Sequence, residues 1–289
     1  MTIANALAPS ASTPRSPLLH VVREESNPLR DLLRLLDSSD ADADAGGTVD
    51  MAISVRRLHE GDTLYGEGAR ADAFYFVRAG TFKTVNTGED GYEQVLGFTG
   101  RGEALGFDAI GMGRYGNEAI ALEESSVYVV PLRTYFARGP RSRALDEAVF
   151  RAISHALLRR SELANVMAAV AAEVRLARFL THLSQQMQSR GQSPRRFHLR
   201  MSRRDIASYL GVAHETISRS FGTLVAWGLV TVDNREVEIM DLEMLKTLAS
   251  GTRRTVDEHA HFGAGPCGAG SRPKAAARRS QASSVGAIH

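Results

Sequence analysis

One change of punctuation constrains this chain most. Between residues 51 and 131, glycines cut the apolar runs every few positions, whereas from Ser142 to Ala172 there is neither glycine nor proline. The first stretch carries Phe74-Tyr-Phe-Val, Val95-Leu-Gly-Phe, Ile120-Ala-Leu and Val127-Tyr-Val-Val, with turns at Ala79-Gly80, Thr87–Gly91 and Thr99–Gly102. Short apolar runs between regular turns read as the strands of a β-barrel, jelly roll or sandwich. The second stretch reads as one long helix. In it Val149, Ile153, Ala156, Arg160, Leu163, Met167 and Val170 alternate four and three residues apart, the a/d spacing of a coiled-coil seam. The seam predicts a parallel helix pair across a two-fold axis, with Arg160 setting the register. The competing reading is a single helix lying on its own domain.

A further helix is expected from Glu173 to Ser189, ended by Gly191 and Pro194. Residues 202–226 then carry the most specific pattern. Ser202 with Asp205 makes a capping-box start, and Ile206, Ala207 and Leu210 give an inward face. Gly211 permits a tight turn into a second helix from His214 to Trp227, whose core face is Ile217, Phe221, Leu224 and Val225. Glu215, Ser218 and Arg219 lie at i, i+3 and i+4, so they leave the N-terminal half of that helix together. That half of a recognition helix enters the major groove. An arginine can hold guanine O6 and N7, a glutamate can accept from a cytosine amino group, and a serine can reach a base edge. Leu229-Val-Thr-Val232, a turn at Asp233-Asn234 and Val237-Glu-Ile read as a wing. Ser202, Arg203, Arg204 and Thr216 are placed against phosphates.

Charge enters the argument only locally. The net charge is +2, but Arg190, Arg195, Arg196, Arg200, Arg203, Arg204 and Arg219 face only Asp205 and Glu215 over 190–219. That bias suits a polyanion. The single cysteine, Cys267, excludes an intramolecular disulfide and any cluster of thiolates. No apolar run reaches the length of a membrane span, and the N-terminus lacks the pattern of an export signal, so a cytoplasmic protein without membrane contact is expected. No acid/base pair or nucleophile constellation points to an enzyme. No cofactor is expected.

At these residues the chain resembles the cyclic-AMP receptor protein/FNR superfamily, more closely its FNR branch. The resemblance covers about 51–249. It is carried by the Gly97–Gly111 stretch (Gly-Phe-Thr-Gly-Arg-Gly-Glu-Ala-Leu-Gly-Phe-Asp-Ala-Ile-Gly), by Arg203-Arg-Asp-Ile-Ala-Ser-Tyr-Leu-Gly, and by Glu215-Thr-Ile-Ser-Arg219. It implies an α+β chain: a jelly-roll-like β-roll of cyclic-nucleotide-binding type, a long dimerisation helix and a winged helix-turn-helix. The expected division is a disordered segment 1–50, β-roll sensor 51–138, dimerisation helix 139–172, DNA-binding domain 173–250 and a disordered basic tail 251–289. The resemblance also implies base reading by Glu215, Ser218 and Arg219 and an inverted site like TTGAT-N4-ATCAA. It further implies an RNA polymerase contact at the hairpin carrying Glu89 and Asp90, and so an activator working as a homodimer on double-stranded DNA. One departure is Ala213, where relatives carry a hydroxyl that caps the recognition helix.

The sensor departs further. Cyclic-nucleotide binders of the superfamily hold the phosphate with an Arg-Ser or Arg-Thr pair, and the ribose with a Glu after a Gly. Here the pair aligns with Asn117-Glu118, and the Glu position is Phe107 after Gly106. The four cysteines of the oxygen-sensing members are missing. A cyclic-nucleotide-responsive regulator and a ligand-binding module without DNA function are the alternatives.

Overall fold

A computed structural model describes residues 28–36, 52–137, 142–169 and 171–251. Its first domain is built from eight strands in two antiparallel sheets. These are β1 (Ser54–Leu58), β2 (Thr63–Tyr65), β3 (Ala73–Ala79), β4 (Thr81–Thr87), β5 (Glu93–Gly100), β6 (Ala104–Leu105), β7 (Glu118–Ala121) and β8 (Ser125–Pro131). One sheet runs β1-β8-β3-β6 and the other β2-β7-β4-β5. The strand β3 explains why its sequence reads as an unbroken apolar run. Tyr75 and Val77 face the space between the sheets, whereas Phe74 and Phe76 face the opposite side. A strand covered on both faces loses its alternation.

What covers the outer side is helical. The helix α1 (Pro28–Leu35) buries Leu29, Leu32 and Leu33 there. Within an otherwise disordered 1–50 the sequence leads one to expect a marginal amphipathic helix at Leu29–Leu36. The helix forms and is more than marginal, because three leucines on one face find a partner sheet and burial outweighs the weak propensity of so short a helix. After α2 (Leu132–Tyr135), the long helix α3 (Arg143–Met167) starts at Ser142, whose hydroxyl accepts from the Leu145 N–H at 3.1 Å. Its first turns bury Ala144, Leu145 and Val149 against the same outer face.

The glycine-free stretch is not one helix to its end. The helix α3 stops at Met167, and α4 (Ala172–Ser189) begins after an extended Ala171. Arginines of α4 hold the break. The Arg175 Nε donates to the Ala169 carbonyl at 2.7 Å, and the Arg178 Nη1 donates to the Asn165 carbonyl. Free carbonyls at a helix C-terminus attract cations. The rest is β9 (Arg196–His198), α5 (Arg203–Leu210), α6 (His214–Ala226), β10 (Val230–Asp233), β11 (Glu236–Ile239) and α7 (Leu242–Ser250). These surround one core that includes Leu180, Ile206, Ile217, Leu224 and Leu245, and the sheet order is β10-β11-β9.

The two domains touch through α5 and the β4–β5 hairpin. The Ser208 hydroxyl accepts from the Val95 N–H and donates to the Glu93 carbonyl, both at 2.9 Å. The Lys83 ammonium donates to Asp205 at 2.9 Å, with both side chains largely buried. Phe98 of β5 packs on Tyr209 and Phe179, with ring centroids 5.2 and 6.1 Å away. Nothing in the spacing of these residues along the chain announced this dock. Among the described residues, no helix is long and apolar enough to cross a membrane.

Candidate nucleic-acid interface

The helix-turn-helix forms where the sequence placed it. Ser202 and Asp205 close a full capping box: the Ser202 hydroxyl accepts from the Asp205 N–H, and the Asp205 carboxylate accepts from the Ser202 N–H. Burial alone would raise the Asp205 pKa. The hydrogen bonds from Ser202 and Lys83 outweigh that and hold it below the ordinary carboxylate value. Gly211 ends α5 in the left-handed region, at φ 62° and ψ 43°, where a side chain is disfavoured. A Cβ there would also come within 2.6 Å of the Met167 methyl, so the tip of α3 seals the turn.

The helix α6 buries Ile217, Ser220, Phe221 and Leu224. Val225, expected in the core, is 43% exposed. Its place goes to Ser220, which tolerates burial because its hydroxyl donates to Glu173 at 3.1 Å. Glu215, Ser218 and Arg219 all face solvent. Neither Glu215 nor Arg219 makes an ion pair among the described residues, and the Ser218 hydroxyl donates back to the His214 carbonyl at 3.2 Å. Thr216 is half-buried beside them. The N-terminus of α6 has no side-chain cap at Ala213, so its first amides stay open.

The phosphate-facing set divides. Arg204 is exposed and Ser202 half-buried at the start of α5. Arg203 is turned into the fold, which corrects its placement against phosphates. Its guanidinium lies 3.4 Å from the Phe221 ring centroid and donates to the Asn234 carbonyl of the wing turn at 3.3 Å. Burial lowers its pKa. A cation sandwiched this way ties α5, α6 and the wing together. Neighbouring arginines in a basic run look alike in sequence; only the turn of the helix separates them.

The expected seam of α3 divides in the same way. Val149 is buried against its own β-roll, and Ile153 packs beside it. Ala156 and Leu163 are half-buried, Arg160 is exposed, and Met167 is 39% exposed over Gly211. Val170 lies outside the described residues. The first part of the expected seam is therefore used within the subunit. The large apolar side chains most open on α3 are Phe150 at 69%, Leu158 at 61% and Leu157 at 60% exposure; of these, Phe150 and Leu157 share one stripe. With Ser154, Ser161 and Ala164, all exposed, they repeat at four and three residues, one position out of phase with the expected seam. Both serine hydroxyls donate to carbonyls one turn back, Phe150 at 2.9 Å and Leu157 at 3.3 Å, so the face makes few polar demands on a partner.

In the β-roll, Asn117 and Glu118, the residues aligned with the phosphate-holding pair of cyclic-nucleotide binders, are engaged in internal hydrogen bonds, with Tyr65, Asp108 and Asn117 on the wall of a recess of about 560 Å³. The Asn117 amide donates to Asp108 at 2.7 Å, and the Tyr65 hydroxyl donates to the Asn117 oxygen at 3.2 Å. Burial raises the Tyr65 pKa. Thr63 donates to Glu118 at 2.8 Å. Both carboxylates would repel an anion, and no guanidinium of this network offsets them. Glu89 and Asp90 stand exposed at the tip between β4 and β5, with Asp90 accepting from the Tyr92 N–H at 3.0 Å.

Comparison with known proteins gives matches across both domains. Residues 174–248 match the model of the Crp-like helix-turn-helix domain, and residues 55–137 that of the cyclic nucleotide-binding domain. The chain is 36% identical over 196 residues to the fumarate and nitrate reduction regulatory protein of Salmonella typhimurium, covering 68% of this chain and 78% of that protein. The Escherichia coli K12 protein of the same name gives the same figures. Among solved structures, FixK2 from Bradyrhizobium japonicum superimposes with a TM-score of 0.60 at 21% identity, over 70% of this chain and 100% of that one. TTHB099 from Thermus thermophilus gives 0.56 at 23%, over 68% and 97%. At such identities these two show the fold alone.

Proposed function

This chain belongs to the CRP/FNR family of transcription regulators, and from that membership we propose that it binds, as a homodimer, an inverted DNA site of the form TTGAT-N4-ATCAA and activates transcription from it. The regulatory role and the helix-turn-helix domain come with the family, and enzymatic activity does not. One observation carries the finer reading: Glu215, Ser218 and Arg219 project from one face of α6, and both charged members lack a protein partner among the described residues. Arg219 takes the guanine of each half-site, Glu215 the cytosine on the opposite strand, and Ser218 contacts the thymine side. Ser202, Arg204 and Thr216 hold the flanking phosphates. The dimer forms along Phe150, Leu157 and Ala164, which sets two reading helices about one DNA turn apart. The acidic tip Glu89-Asp90 contacts RNA polymerase. A regulator of chromosomal DNA works in the cytoplasm.

The test is selection from random duplex DNA with the full chain. An inverted repeat with a TTGAT-like half-site is the expected result. A consensus without two-fold symmetry, or with another half-site, overturns the proposal. Glu89→Ala should lower promoter output at unchanged DNA affinity. Unchanged output removes that tip as the polymerase contact. Against the cyclic-nucleotide-responsive reading stand two carboxylates, Glu118 in the pair aligned with the phosphate-holding residues and Asp108 bonded to Asn117 of that pair, although a recess of about 560 Å³ lies beside Asp108.

A further inference from the structure

A recess lies away from the outward face of α6. A groove of about 440 Å³ runs between the β5–β6 turn, α3 and α4. Four guanidiniums line it, from Arg101, Arg151, Arg159 and Arg190, against two carboxylates, Glu103 and Glu162. His155 and His182 complete the polar wall.

Arg151 is engaged by a partner of its own, and around Glu103 the pairing is lopsided. Arg159 and Arg190 share one carboxylate, Glu103, at 3.7 and 3.3 Å. The same Glu103 also accepts from the Gly100 N–H at 2.8 Å, so its lone pairs are already committed. Glu162 is taken by His182 at 3.4 Å. Arg101, at the rim, is exposed and makes no ion pair among the described residues. Two guanidiniums about three-quarters buried over one carboxylate leave donors and positive charge facing the recess. The chain also makes room for this arrangement: a Cβ on Gly100 would come within 2.8 Å of the Arg190 Nη1.

We propose that this groove binds a small oxyanion of multiple charge, carrying phosphate or carboxylate groups, with Arg101, Arg159 and Arg190 as its ligands. The volume suits a metabolite-sized guest. The floor cations are too recessed for a duplex backbone, which an outward-facing surface would hold. The charged walls come from the β-roll, the long helix and the first helix of the DNA-binding domain, with Leu35 and Leu36 from the end of α1 closing an apolar side, so a bound anion ties the first three.

Calorimetric titration of the full chain at fixed ionic strength tests this, with inorganic pyrophosphate in one arm and citrate in the other. Saturable binding with a dissociation constant below about 1 mM is expected in at least one arm. Pyrophosphate alone names a phosphorylated ligand, and citrate alone a polycarboxylate. Arg101→Ala, which removes an exposed side chain, should weaken binding about tenfold or more at an unchanged melting temperature. Arg159→Gln should weaken it further. No saturable binding in either arm, or wild-type affinity in Arg101→Ala, overturns the proposal.

Discussion

The recognition helix and the β-roll cradle treat their polar groups in opposite ways. On α6, Glu215 and Arg219 face solvent without an ion pair among the described residues. In the cradle, Asp108, Asn117 and Tyr65 satisfy one another. A surface kept for a ligand leaves hydrogen-bonding capacity open, because pairing it internally would have to be undone on binding. A surface whose groups are already paired has been absorbed into the fold. By that criterion the outward face of α6 is ready for a guest, and the polar groups at Asp108, Asn117 and Tyr65 are spent on one another, although they border a recess of about 560 Å³.

The largest effects that sharpen this contrast come from α3, where the two kinds of face lie side by side. Val149→Glu places a charge in the subunit's own core and should destabilise the β-roll by about 3 kcal/mol or more. Leu157→Glu should leave the melting temperature of the subunit nearly unchanged while sedimentation shows monomers. If Leu157→Glu remains dimeric, the open face is not the dimer seam. On DNA, Arg219→Ala should cost about 1–3 kcal/mol per half-site and relax the guanine preference in selection experiments. Arg203→Ala should act differently, lowering thermal stability and weakening all sequences alike.

Calorimetry with cyclic AMP and cyclic GMP then probes the internally paired side. No saturable heat is expected in the micromolar range, and clear micromolar binding would break the contrast outright. A smaller effect belongs to the open N-terminus of α6. Ala213→Ser should restore a cap and raise stability by about 0.5–1 kcal/mol, read as a higher melting temperature. The smallest is in pH. Asp205 has a depressed folded pKa, so its contribution is present above the unfolded value of about 3.9 and lost as pH falls through the folded one. Asp205→Asn should therefore flatten the stability profile only below about pH 4, a change that thermal melts across pH would detect.

Legibility in the sequence followed the range of the interactions. The capping box at Ser202, the glycine turn at Gly211 and the outward trio on α6 are local, and their spacing specifies them within a few residues. The strand-rich first domain was legible from its turns. What spacing could not decide was the choice between two apolar faces of one helix. Val149 and Phe150 are neighbours, yet one is buried and the other is 69% exposed. Periodicity states that a face is apolar and is silent on which surface covers it. The burial of α1 and the inward turn of Arg203 were beyond spacing for the same reason, since their partners, a sheet and Phe221, are remote in sequence. Val170 and the basic tail beyond Gly251 lie outside the described residues.

Ser208 carries a consequence of its own. The strand β5 is the last in its sheet, and its outer backbone groups at Glu93 and Val95 are satisfied by that one hydroxyl. If the DNA-binding domain swings away, the sheet regains a bare edge, and a bare edge is a template for pairing with another chain. The dock therefore works as a guard against self-association as well as an orienting contact. Ser208→Ala should leave the reading face of α6 intact and make the protein more prone to aggregate on prolonged warming.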